Sequence, residues 1–207
     1  MKRLLVLAAV AFVTTAAFAA DGAVAQQDSA RYAAPKMSAE QQAEMQKMLK
    51  AATPGPQHEM LKKMAGEWNA TVTMQMDPSQ PPEVEHSTAT LTMLMDRYCQ
   101  EVTTGQMMGQ PFSGMGLTGY DNVLGKYVST WVDNMGTGIM TSTGTADASG
   151  KVITWIGTMS DPMTGKVSKE RMVTTIKDDD HHTFEMYGTP PGGKKEMKMM
   201  TIEYTRK

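Results

Sequence analysis

From residue 68 onward, apolar side chains recur at every second position. Trp68, Ala70, Val72, Met74 and Met76 share one face, and Asn69, Thr71, Thr73 and Gln75 share the other. A period of two is the signature of a half-buried β-strand. The clearest stretch runs from 112 to 140. There Tyr120-Asp121-Asn122 and Gly125 break one apolar run, and Asp133-Asn134-Met135-Gly136 breaks the next. That is a β-hairpin followed at once by a further strand. The same alternation predicts strands over 68–76, 84–95, 98–104, 112–119, 126–132, 138–145, 151–159, 166–176, 182–187 and 195–205. Short turns rich in Gly, Asp and Pro join them, as over 77–82, 147–150, 161–165 and 190–193. In the last strand Met197 and Met199 fall in one phase and Met200, Ile202 and Tyr204 in the other. A bulge between Met199 and Met200 reconciles them. Over 126–132 two inner rows compete: Tyr127, Ser129, Trp131 and Asp133, or Val128, Thr130 and Val132.

Ahead of the strands the period changes to that of a helix. Ser38 and Gln41 have capping-box spacing, and Met45, Met48, Leu49 and Ala52 form one stripe. An amphipathic helix is therefore expected over 37–53, stopped by Pro54-Gly55-Pro56, with a second short helix over 58–65. Its polar face is rich in Gln, Glu and Lys, which leaves a partner-binding helix open. About ten strands in a meander would leave two reactive edges as an open sheet. Closing the first onto the last removes both. The fold class is all-β: an antiparallel up-and-down β-barrel of about ten strands over 54–207, with one or two short N-terminal helices. A barrel of that size has interior room for a ligand.

Residues 1–25 read as a secretory signal peptide. Lys2-Arg3 precedes the apolar run 4–13, and A-x-A sites end at Ala19 and Ala25. The small, polar stretch 26–36 reads as a disordered linker. The protein is thus expected in the periplasm or outside the cell, without a membrane span. Removing 1–25 takes away two positive charges and one negative one, so the formal charge of −2 becomes −3. Such a chain has no basic field for nucleic acid. Cys99 is the single cysteine, which excludes a disulfide framework and suits a buried strand position. Methionine is the outlier, with 22 residues against 4 phenylalanines. Thioether side chains fill irregular space flexibly.

Several motifs together resemble the bacterial family of domain of unknown function 1579: P-G-P-Q-H at 54–58, A-G-E-W at 65–68, M-G-Q-P-F at 108–112, G-L-T-G-Y-D-N at 116–122, D-N-M-G-T-G-I-M at 133–140, D-P-M-T-G-K at 161–166 and F-E-M-Y at 184–187. That resemblance implies no particular chemistry. More distantly, Gly66-x-Trp68 opening the first strand and Arg206 ending the last resemble the calycins, the lipocalin and fatty-acid-binding-protein group. It implies that Trp68 and Arg206 pack together at the closed end as structural residues. It also implies that His182 is a candidate iron ligand, as a histidine is in the haem-binding calycins called nitrobindins.

No catalytic constellation stands out. There is no G-x-S-x-G elbow, and Gly114-x-Gly116-x-x-Gly119 lies in a meander without the helix a dinucleotide site needs. The pairs Met74/Met76, Met93/Met95 and Met197/Met199 each put two thioethers on one strand face. That suits Cu(I) or, more simply, an apolar lining. Adjacent His181 and His182 point to opposite faces and cannot chelate one ion together. No cofactor is predicted. The expected function is binding of a small hydrophobic molecule in a Met-rich interior lined by Met74, Met93, Met115, Trp131, Met140, Trp155, Phe184 and Met186.

Overall fold

The computed structural model describes residues 37–77, 79–161, 164–189 and 195–207. The expected signal peptide and linker, residue 78, part of the turn at 161–165 and all of the turn at 190–193 lie outside the described residues. Helix α1 (Ala39–Ala52) and helix α2 (Pro56–Met64) precede the strands. These are β1 (Gly66–Met74), β2 (Glu83–Leu94), β3 (Tyr98–Met107), β4 (Gln110–Asp121) and β5 (Lys126–Asp133). They continue as β6 (Met140–Ala146), β7 (Val152–Asp161), β8 (Lys166–Ile176), β9 (His181–Gly188) and β10 (Met197–Arg206). Each pairs antiparallel with its neighbour in sequence, and β1 pairs with β10, so the described strands form a closed barrel.

The helices start as their sequence dictates. Ser38 Oγ accepts from the Gln41 amide and Gln41 Oε1 accepts from the Ser38 amide, which satisfies two otherwise orphaned donors. At α2, Gly55 has no side chain to give, so the reciprocal half is made by His58, whose Nδ1 accepts from the Gly55 N–H. Pro56 fills the first helical position, where a missing N–H costs nothing.

Closure is set by the β1–β10 register, running from Trp68 opposite Arg206 to Met74 opposite Met200. The register between β10 and β9 shifts between Lys198 and Met200, which leaves Met199 as the extra residue. That bulge changes the phase of β10, so Ile202 and Tyr204 face the interior. On β5 the inner row is Tyr127, Ser129, Trp131 and Asp133. It fits because β4 offers Gly114 and Gly116 beside it. A Cβ on Gly114 would collide with the Trp131 ring, and one on Gly116 would lie 3.0 Å from it.

Candidate functional site

The barrel has one helix-covered end. Helix α2 packs on β2, β3 and β4, and Leu61 is buried beneath it. Trp68, 1% exposed, donates from Nε1 to the Met64 carbonyl at 3.0 Å, tying the first strand to the helix end. The Arg206 guanidinium lies over the Trp68 ring, 4.2 Å from its centroid. A cation–π contact of this kind is worth about 0.5–2 kcal/mol. Arg206 also donates to the carbonyls of Lys63, Ala65 and Asp179 and pairs with Asp180 at 3.2 Å. It thus caps the end of α2, where carbonyls would otherwise lack partners. Gly66 is required here, because its φ is +142° and a Cβ would strike the guanidinium. The G-x-W signature therefore encodes room for an arginine.

His182 and His181 diverge as their adjacency requires. His181 is exposed and bonds Asp178 at 2.8 Å, whereas His182 is buried. The His182 ring stacks on Tyr204 at 4.2 Å and meets Trp68 edge-on at 4.5 Å. Burial, with the nearby positive charge of Arg206, lowers its pKa to about 4, so the imidazole is neutral near pH 7. A second aromatic chain runs from His58 to Tyr120, Tyr127 and Trp155, each step 5.0 to 6.0 Å between centroids.

Above this floor lies a cavity of about 820 Å³, a size ordinary for small-molecule sites. Of the residues expected to line it, Trp131, Met140, Trp155, Phe184 and Met186 do so. Three do not. Met115 points outward, is 44% exposed, and its Sδ accepts from Gln100 Nε2. On β4 the inner row is Phe112, Gly114, Gly116 and Thr118, because Trp131 needs the space that glycine leaves. Met74 is buried and Met93 half-buried against the core, but neither reaches the cavity. The M-x-M pairs at 74/76 and 93/95 are split as well. Met76 and Met95 lie beyond their strand ends, 60% and 71% exposed, so each pair cannot act as one soft ligand set. Among the described residues, no group of three His, Cys, Asp or Glu side chains is placed to hold a metal ion.

The sequence reading missed the cavity's polar centre. Glu101 lies on β3 between Cys99 and Thr103, and all three face inward. Its Oε1 accepts from Thr103 Oγ1 and from the Tyr204 hydroxyl, each at 3.0 Å. Burial raises the Glu101 pKa above the ordinary carboxyl value, against the lowering effect of those two hydrogen bonds. Burial also pushes the Cys99 thiol up to about 12, with help from Glu101. Such a thiol is not a nucleophile. Cys99 had been expected in a buried strand position, and the period of two carries that face to residue 101. This was the available signal. Toward the mouth, Trp131 donates from Nε1 to Asp133 Oδ2 at 2.9 Å; nearer the helix-covered end, Trp155 donates to Thr174 at 3.0 Å.

The site is the interior of a closed antiparallel barrel with a helix over one end and a mixed apolar and carboxyl lining, and architecture alone does not name an activity. The chain belongs to the family described as "Protein of unknown function (DUF1579)", whose profile matches residues 53–206. No curated protein matches the sequence. Among solved structures, the chain is similar to Rv2717c from M. tuberculosis. Identity is 15%, coverage is 75% of this chain and 99% of that one, and the TM-score is 0.58. That likeness is one of fold. A redesigned β-barrel matches with 14% identity over 71% of this chain and 94% of its own, at a TM-score of 0.38.

Proposed function

We propose that this protein is an exported carrier that binds a small hydrophobic molecule inside its barrel. The observation behind this reading is the cavity of about 820 Å³, whose walls include Trp131, Met140, Trp155, Phe184 and Met186. Aromatic rings supply rigid apolar area, and thioethers adapt to the outline of an occupant. Export rests on the sequence of residues 1–25. On β1 and β2 the exposed positions include Asn69, Thr88 and Thr90, which suits water around those strands. Among the described residues, no helix is long and apolar enough to cross a membrane.

Native mass spectrometry of the protein purified from its own compartment, with an absorbance spectrum, tests the reading. The expected result is a colourless extra mass released by organic solvent, on a polypeptide shortened by 19 or 25 residues. A bare mass on a full-length chain would overturn it. A Soret band would move the reading to haem and make His182 the first residue to replace.

A second reading is favoured by α1, which buries none of its residues and leaves Met45, Met48 and Leu49 exposed. An unpartnered apolar stripe on a helix suits a protein partner. Deleting residues 26–50 would then abolish association in pull-downs while leaving the strand-type circular dichroism intact. Retained association would remove this reading.

A further inference from the structure

The carrier reading leaves open which hydrophobic molecules enter. The charges around the lumen are one-sided. Glu101, Asp133 and Asp161 border the cavity, and among the described residues no lysine or arginine does. Glu101 is the deepest of the three. Its ladder partners are Leu91 on β2 and Gly116 on β4, so one neighbour is apolar and the other has no side chain. Both hydrogen bonds it accepts fall on Oε1, and among the described residues no basic side chain pairs with it. Among the described residues nothing donates to Oε2, and the atom is not closed off from open space, which at this cavity-lining position is the cavity. Carboxylates sequestered inside proteins are normally paired or fully hydrogen-bonded. This one is half-satisfied, and its free oxygen faces the space a ligand would fill.

We propose that the lumen selects amphiphiles with a donating head group, above all a hydrophobic amine, which places its N–H groups on Glu101 Oε2, and that it rejects amphiphiles headed by a carboxylate. This rests on the carrier reading and gives the chemical class of its ligand. An ammonium group supplies the positive charge that the interior lacks. A hydroxyl supplies one donor without the charge. A carboxylate brings a negative charge into a low-dielectric space that already disfavours the ionised form of Glu101, and it supplies no positive charge to offset either. His182 offers that anion no compensation, since its imidazole is neutral at pH 7. The hydroxyls of Thr103 and Tyr204 are already engaged by Glu101.

Three probes of equal chain length distinguish these cases: dodecylamine, dodecanol and dodecanoate, titrated below their aggregation limits at pH 7. Calorimetry reads affinity, and tryptophan fluorescence reports entry, because Trp131 and Trp155 line the cavity. The expected order is amine, then alcohol, then carboxylate, with the amine at least tenfold tighter than the carboxylate. Glu101→Gln keeps an oxygen to accept from Thr103 and Tyr204 but removes the charge. It should weaken the amine about tenfold, leave the alcohol within about threefold and bring the carboxylate closer to both. Equal binding of all three, or a preference for the carboxylate, would overturn the proposal while leaving the carrier reading intact. Failure of all three to bind would overturn both. The comparison among probes uses the unaltered protein, so it decides the question even if the variant does not fold.

Discussion

The two ends of the barrel are built from different materials. At the helix-covered end, rigid aromatic rings pack against one another, mostly edge to face. Trp68 sits between His182 and Arg206, and Tyr127 between Tyr120 and Trp155. Toward the mouth, Met135, Met140, Met159 and Met200 border the cavity, Trp131 rests on glycines, and Met135 is 48% exposed. One end is fixed by directional contacts. The other is shaped by flexible side chains that accept many outlines. The proposed carrier would benefit from this division, because a rigid floor holds the strands in register while a soft wall adapts.

Replacing a residue in the floor should therefore cost far more than replacing one in the wall. Trp68→Ala removes the largest fully buried side chain and its bond to Met64. A loss of about 3–5 kcal/mol is expected in denaturant unfolding. A loss under about 1 kcal/mol would erase the distinction between the ends.

The next largest effect is a response to acid. His182 is neutral when folded, with a pKa of about 4 against 6.5 for the free side chain. The unfolded state therefore binds the proton first. Stability is undiminished above about pH 6.5, falls as the pH drops toward 4, and levels off below that. The full loss is at most about 3 kcal/mol. Glu101 acts in the opposite sense, since its raised pKa favours the fold at low pH and removes stability as the pH rises through the folded value. His182→Phe should flatten the fall between pH 6.5 and 4 in thermal melts. An unchanged slope would mean that other groups carry it.

The smallest effect belongs to the wall. Met140→Leu and Met186→Leu conserve volume and should each cost under about 1.5 kcal/mol. Their signature should be in ligand range rather than stability. The stiffer leucine lining should spread the affinities across probes of different shape more widely than the native methionines do. An unaltered spread would deny the wall its adaptive role.

The ten strands were legible in the chain because alternation and turn residues mark each of them, although the ends move by up to three residues: β3 runs to Met107 rather than 104, and β1 covers Gly66–Met74 rather than 68–76. The bulge at Met199 was legible because β10 carries two incompatible phases. The inner row of β5 was not, because Tyr127-Ser129-Trp131 and Val128-Thr130-Val132 are both plausible rows. The choice is made by Gly114 and Gly116 on the adjacent strand, a fact of pairing rather than of either strand alone. The same pairing turned Met115 outward against the simple rule that apolar residues face in. Glu101 escaped notice because only its phase with Cys99 marks it as inward on a largely polar strand. Its role depends on Tyr204, which is 103 positions away in the chain.

Closure through β1 and β10 has a consequence for how the molecule forms. Arg206 must reach the Ala65 carbonyl across 141 positions before the first strand has its second neighbour. Every other strand pairing joins neighbours in sequence, so nine hairpins can zip locally while the seam waits. Contacts between distant segments are slow to form, because the loop between them must first lose its freedom. Until then β1 and β10 each present a bare edge, open to the corresponding edge of another molecule. The seam is thus the point at which assembly of one barrel competes with the joining of two.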